Sequence, residues 1–362
     1  MSIKVIAYYL PQFHPTTDND AWWGKGFTEW TNVGKAKPLF RGHYQPRVPA
    51  DLGYYDLRLP EVREQQVELA KEAGVHGFCY WHYWFGNGKR LLERPFQEVL
   101  ESRTPDFPFC LGWANESWKA KYWGGDGKID RDLIVQIYPG LEDYSQHFNC
   151  VLPAFLDPRY IKVDEKPVFL IYQPLQIPDL PNFIKYWNKL AEENGLKGIH
   201  FIARAAKFSD YKQLVDSGFD AVTLERIRNA YTDLPNFKKA LFRLRRFVRK
   251  RPSFQIPYET AIQHFSNENE DSINNVYPSV IPCWDHSPRS GARGTILDGS
   301  TPELFTKHLK QVFKIVRKKQ QKDQIVFLKS WNEWAEGNYM EPDLIYGKGY
   351  IKALKSTLSE NK

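Results

Sequence analysis

Two glutamates three residues apart, Glu333 and Glu336 in Trp331-Asn332-Glu333-Trp334-Ala335-Glu336-Gly337, are the pair in this sequence best suited to acid/base chemistry. Cleaving a glycosidic bond takes one carboxyl to protonate the leaving oxygen and a second base or nucleophile near the anomeric carbon. Both glutamates follow an apolar run, and Gly337 offers a turn that would let them face the same way. Glu116 and Glu225, each just past another apolar run, are rival acids. The alternative for Glu333 is a helix cap or an ion pair with Arg204.

Other groups with chemical potential stand at similar places. His82, in Trp81-His82-Tyr83-Trp84, is either a substrate hydrogen-bonding group or a strand histidine held among aromatics. Trp22, Trp23 and Trp30 either pin down a long loop or form a wall on which a sugar stacks. Asp285 is either a direct ligand contact or the partner of Arg289 in an ion pair. Asp18-Asn19-Asp20 has the D-x-D form used to hold a divalent ion, but so short a pattern is common by chance. No H-E-x-x-H, P-loop or nucleophile elbow is present, and neither a metal nor a cofactor is expected.

These residues need a scaffold that brings them to one place. Eight short apolar or β-branched runs recur: Lys4 to Leu10, Gly77 to Phe85, Phe109 to Trp113, Pro167 to Tyr172, His200 to Ala205, Ala221 to Glu225, Tyr277 to Trp284 and Gln324 to Trp331. Between several of them lie segments of helical period with helix punctuation: Pro60 to Glu72 before Gly74, Asp179 to Asn194, Ser209 to Ser217, and Thr301 to Lys319 opening on Thr-Pro-Glu. Near-continuous apolar strands alternating with amphipathic helices predict a parallel sheet covered by helices. Eight units favour a closed (β/α)₈ barrel, and the lack of a G-x-G-x-x-G after any strand lowers the dinucleotide-binding alternative.

In such a barrel the site is built from the strand ends and the loops that follow. The candidates there are Tyr9, Tyr83, Trp113, Asn115, Glu116, Tyr172, Arg204, Glu225, Trp284, Asp285 and Asn332, with Glu333 and Glu336. Two stretches break the alternation, Gln12 to Leu57 and Arg226 to Asn274, and are expected as long loops on the same face. The chain is read as one domain over residues 1–362.

At this level of detail the sequence resembles the family-99-like glycoside hydrolase domain, also called the WbsX-like family. Two motifs carry the resemblance. One is Tyr8-Tyr9-Leu10-Pro11-Gln12-Phe13-His14-Pro15 with Trp22-Trp23-Gly24-Lys25-Gly26-Phe27-Thr28-Glu29-Trp30; the other is the Glu333/Glu336 segment with Glu341-Pro342. Gln45-Pro46-Arg47, Gly77 to His82, Trp113 to Glu116 and Trp284-Asp285 extend it to residue 345 or so. The resemblance implies a retaining, metal-independent barrel enzyme related to endo-α-mannosidases and endo-α-mannanases, from loci for O-antigen or other surface polysaccharides. It assigns Glu336 as general acid/base and Glu333 as the base that deprotonates the sugar's own 2-hydroxyl, with Tyr9, Tyr83 and Tyr172 as assisting tyrosines. Hydrolysis and glycosyl transfer both remain open, as does a non-catalytic glycan-binding barrel.

Composition narrows the setting. Aromatics make up 15% of 362 residues, including 12 Trp and 20 Tyr, more than a core alone requires; the surplus suits stacking on sugar rings. The N-terminus reads as a strand rather than a secretion signal, and no run approaches the roughly 20 apolar residues of a membrane span. Cys79, Cys110, Cys150 and Cys283 match no zinc spacing, so a reducing cytoplasm is expected. The net charge is +7, yet residues 238–251 alone hold eight basic residues and no acid. That segment suits an anionic membrane surface or a phosphate-bearing lipid-linked glycan, or a solvated basic helix on the barrel. Nucleic acid is not expected as a partner, since no second basic patch supports it.

Overall fold

The computed structural model describes residues 3–120, 132–237, 239–241, 244, 252 and 254–360. Its centre is eight parallel strands: β1 (Lys4–Tyr9), β2 (Gly77–Trp84), β3 (Phe109–Trp113), β4 (Lys166–Ile171), β5 (His200–Ala205), β6 (Ala221–Leu224), β7 (Val276–Val280) and β8 (Ile325–Leu328). Each pairs with its neighbours in chain order, and β1 pairs with both β8 (Lys4 opposite Ile325) and β2 (Ile6 opposite Gly77). The sheet is therefore closed, a (β/α)₈ barrel.

Strands whose two faces are both covered carry apolar residues throughout, and β2, β3, β6, β7 and β8 are buried at every position. Outer helices follow most strands: α1 (Pro60–Ala73), α2 (Arg94–Ser102), α3 (Leu141–Phe155), α4 (Leu180–Glu193), α5 (Tyr211–Asp216), α6 (Pro302–Val316) and α7 (Gly349–Ser359). Where the punctuation is strong, helix and expectation coincide. Thr301 caps α6 by accepting from the Leu304 N–H, and Gly74, at φ +82°, ends α1 in the left-handed conformation. Helices α2, α3 and α7 have neither a side-chain cap nor a glycine stop, ending instead at Arg103, Leu156 and Glu360, and α3 contains Pro153, so the sequence pattern does not announce them.

The end of β7 differs from expectation. β7 ends at Val280, and Trp284–Asp285 instead pairs antiparallel with Thr295–Asp298 in a small separate sheet. Pro282 falls between the two segments and has no N–H to continue the ladder. Phe254–Pro257 from the second long loop pairs with the other edge of Thr295–Asp298.

Of the basic run 238–251, only residues 239–241 and 244 are among those described. No helix among the described residues is long and apolar enough to cross a membrane.

Candidate active site

A cavity of about 890 Å³ opens at the C-terminal end of the barrel. Its floor is formed by the segment after β8. Asn332–Glu333 pairs with Asn338–Tyr339 in a two-residue ladder, and Trp334–Glu336 between them is a single 3₁₀ turn. With three residues per turn, positions three apart fall on the same side, so the turn brings the Glu333 and Glu336 carboxyls into hydrogen-bonding range of each other. Gly337 closes the turn at φ +53°, and a side chain there would meet Asp285 at 2.7 Å, so the position demands glycine on two grounds.

The two carboxyls sit in different fields. Glu333 is 5% exposed and accepts a hydrogen bond from Trp81 Nε1 at 3.1 Å. Burial, reinforced by the charge of Glu336, pushes its carboxyl up to about 8. Glu336 receives Arg289 Nη1 at 2.5 Å, with His286 Nε2 at 3.7 Å. Burial there also favours the neutral acid, but the Arg289 guanidinium and Lys329 ammonium overcome it and hold Glu336 well below the usual carboxylate range. In the unliganded protein the proton of the pair thus resides on Glu333 and the charge on Glu336.

Other lining groups fall into two walls. One is aromatic: Trp23, Phe27, Trp81, Tyr83 and Trp118, with Gln12 and Asn32 beside them. The other is charged. Glu225 Oε2 lies 3.5 Å from both Arg204 Nη2 and Lys329 Nζ, the Arg204 guanidinium stands 4.4 Å from the Tyr172 ring centroid, and Lys329 stands 5.3 Å from that of Trp284. Glu225 Oε1, Arg204 Nε and Trp284 Nε1 are buried without a protein partner. All three residues line the cavity, though these particular atoms face the protein side of its wall. Glu116, bonded by Gln173 Nε2 at 3.3 Å, completes the polar rim.

Nine of the sequence candidates therefore meet at the cavity: Trp23, Tyr83, Glu116, Tyr172, Arg204, Glu225, Trp284, Glu333 and Glu336. Tyr9, Trp30, His82, Trp113, Asn115, Asp285 and Asn332 are not among its lining residues, and each has a scaffold partner. Side chains alternate across a strand. Tyr9 therefore points to α1, bonding Gln66 at 2.6 Å, and His82 and Trp113 point to α3, where both meet His147. Asn115 bridges to the Gln173 backbone, Asn332 clamps the Leu10 N–H and carbonyl at 2.8 and 3.0 Å, and Trp30 bonds the Tyr55 carbonyl.

The ion pairs considered from sequence are also redistributed. Glu333 neither caps by its side chain nor meets Arg204, which pairs with Glu225. Asp285 does not pair with Arg289. It is fully buried, 2.7 Å from His43 Nε2 and 2.6 Å from Gln45 Nε2, while Arg289 bridges Glu336 and Glu29. Although burial favours its neutral form, the His43 hydrogen bond and the Arg47 charge hold the Asp285 carboxyl at about 2.

Sequence reasoning missed Glu29, Lys329 and His286 as site groups. Glu29 was visible only as a letter of the first motif, and Lys329 lies inside what reads as an apolar strand. Asp18 and Asp20 of the D-x-D triplet turn to separate partners, Lys89 and the Gly26 N–H. Among the described residues no group of three or more His, Cys, Asp or Glu is placed to hold a metal ion.

The comparisons with known proteins bear on the family and the fold. The family described as Glycosyltransferase WbsX matches residues 5–354. Two proteins from strains of Xanthomonas campestris pv. campestris, each named Uncharacterized protein WxcX, are 35% identical over 98% of this chain; the chain spans about half the length (49%) of these relatives. Among solved structures, a glycoside hydrolase-like protein superposes with a TM-score of 0.64 at 15% identity, covering 99% of this chain and 94% of that one. A GH99 endo-α-mannosidase from Bacteroides thetaiotaomicron, in complex with bis-tris-propane, gives 0.60 at 14%, covering 99% and 96%. Likeness at such low identity establishes the fold alone, a (β/α)₈ barrel. The match along nearly the whole chain goes further: this protein belongs to the WbsX glycosyltransferase family.

Proposed function

We propose that this chain is a retaining carbohydrate-active enzyme of glycoside hydrolase type, acting on a bacterial surface polysaccharide or O-antigen glycan. The observation that carries the reading is the Glu333/Glu336 pair, two carboxyls side by side on the floor of a cavity large enough for an oligosaccharide, one against Trp81 and the other clasped by Arg289. Aromatic rings on one wall offer stacking for the apolar face of a sugar, and the polar side chains Glu116, Glu225 and Arg204 on the other offer hydroxyl contacts. In the sugar-bound state Glu336 is the general acid/base and Glu333 takes the 2-hydroxyl proton, the roles that the family resemblance implies. The contact between the carboxyls provides the route by which the proton reaches Glu336 from Glu333.

The second reading is glycosyl transfer from a lipid-linked or nucleotide-activated donor, favoured by the family's own description. Phe237, Leu241 and Leu244, beside and within the basic run, are 70%, 45% and 59% exposed. Exposed apolar side chains in a stretch with eight basic residues suit the surface of an anionic bilayer, where a lipid-linked glycan would be met from the cytoplasmic side.

Incubation of the protein with α-mannan oligosaccharides and with lipid-linked O-antigen separates the readings: shortened glycan means hydrolysis, a new glycan–acceptor product means transfer, and binding alone refutes both. Glu336→Gln is expected to lower turnover by about 10²-fold or more; near-full activity would remove Glu336 from the acid/base role.

A further inference from the structure

Arg289 is a single guanidinium shared between two carboxylates from different parts of the chain. Its Nη1 lies 2.5 Å from Glu336 after β8, and its Nη2 lies 3.0 Å from Glu29 in the loop after β1. Glu29 is only 3% exposed and lines the same cavity, so its charge is not placed there for solubility. Burial pushes the Glu29 carboxyl up against the pull of Arg289, and the two acids compete for one cation.

This matters because an acid catalyst must hold a proton, and a carboxylate clasped by arginine does not. With Arg289 on Glu336, the proton of the Glu333/Glu336 pair stays on Glu333. We propose that Arg289 and Glu29 form a positioning pair that decides which carboxyl of the Glu333/Glu336 dyad carries the shared proton. Drawn onto Glu29, Arg289 releases Glu336; the Glu333 O–H bond breaks and an O–H bond forms on Glu336, with no other reactant needed. The groups facing the dyad are Arg289 and His286 from the loop after β7, Lys329 at the end of β8, Trp81 and Tyr83 from β2, and Glu29. Arg289 touches the dyad directly and a second cavity carboxylate as well. Lys329 pairs with Glu225 and acts on the dyad through its charge.

The catalytic consequence rests on the function proposed above, but the proton placement can be read without any substrate. The experiment is a ¹³C NMR pH titration of the unliganded protein labelled at the glutamate carboxyl carbon, with Glu333→Gln and Glu336→Gln assigning the two signals. In the wild type, Glu336 is expected to titrate below and Glu333 above the ordinary range. In Arg289→Met the Glu336 midpoint rises by about one unit or more; in Glu29→Gln, where Arg289 has one anion left, it falls further. Arg289→Lys keeps a cation but loses the fork that spans both acids. It gives a smaller rise and serves if the methionine variant does not fold. An unchanged Glu336 midpoint in folded Arg289 variants, or one indifferent to Glu29→Gln, overturns the proposal. Failure to process any glycan would instead refute the enzymatic reading while leaving these midpoints as predicted.

Discussion

The two long excursions from the barrel occupy comparable places, each following a strand at the C-terminal end, yet they are built in opposite ways. The first, residues 12–57, has no core of its own. Its aromatic side chains Phe13, Trp30 and Tyr55 pack on one another and on Trp334, and its polar side chains reach into the segment after β8. Tyr55 donates to the buried Glu341 carboxylate at 2.9 Å, beside Gln66 and Trp334, each at 2.6 Å. His43 and Gln45 hold Asp285, and Glu29 holds Arg289. The second, residues 226–274, forms a small apolar cluster of Ala230, Ile256, Tyr258, Ala261, Ile262 and Phe265 with Ile281 and Leu297. Arg226 closes its base on Glu270 and Asp271 at 2.5 and 2.7 Å, and among its described residues only Ile227 and Arg228 reach the cavity. A loop without a core must borrow one, and in doing so it becomes part of the cavity floor. A loop with its own core is free to present a face elsewhere.

The contrast can be broken most forcefully at Glu341. Glu341→Ala strands three buried donors, each costing about 1–3 kcal/mol, so a loss of about 4 kcal/mol in urea-unfolding stability is expected, together with loss of any glycan processing. A loss under about 1 kcal/mol would mean that the first loop does not depend on the β8 segment.

The anchors should also differ in pH response. Burial pushes Glu341 up to about 7 despite its hydrogen bonds, so between pH 4.5 and 7 the folded protein binds more protons than the unfolded chain. Stability from this group falls as pH rises through that window, by up to about 3 kcal/mol. Glu333 adds to the same slope, so the comparison is best made in Glu333→Gln, with and without Glu341→Ala. Asp285, held at about 2, has the opposite sign: its contribution is present above pH 4 and is lost as pH falls toward 2. Unfolding midpoints across pH 2–8 that show a single sign would contradict the pairing.

A smaller effect is expected from His43→Ala, which leaves Gln45 and the Ser287 N–H on Asp285: about 2 kcal/mol. The least effect on stability belongs to the second loop. Replacing Phe237, Leu241 and Leu244 together by Ser should change stability by less than about 0.5 kcal/mol while abolishing sedimentation with phosphatidylglycerol vesicles. Unchanged sedimentation would remove the membrane reading.

The eight strands, the helices with capping signals and the polar strand ends were legible because local patterning decides them: both-face burial makes a strand apolar throughout, and a cap is written in one or two residues. The β8 motif was legible as a unit because its two glutamates sit on one 3₁₀ turn, a spacing that local geometry alone brings together. Tyr9, His82 and Trp113 look like site residues in sequence and belong to the helix layer, because the parity that separates inside from outside depends on where a closed sheet puts its axis. Glu29 and Arg289, 260 residues apart, meet only after the barrel has closed. The sequence by itself determined which elements form and where the acid pair lies. Only the tertiary structure decided which charges face one another, and so which glutamate holds the proton, because electrostatic fields act across space rather than along the chain.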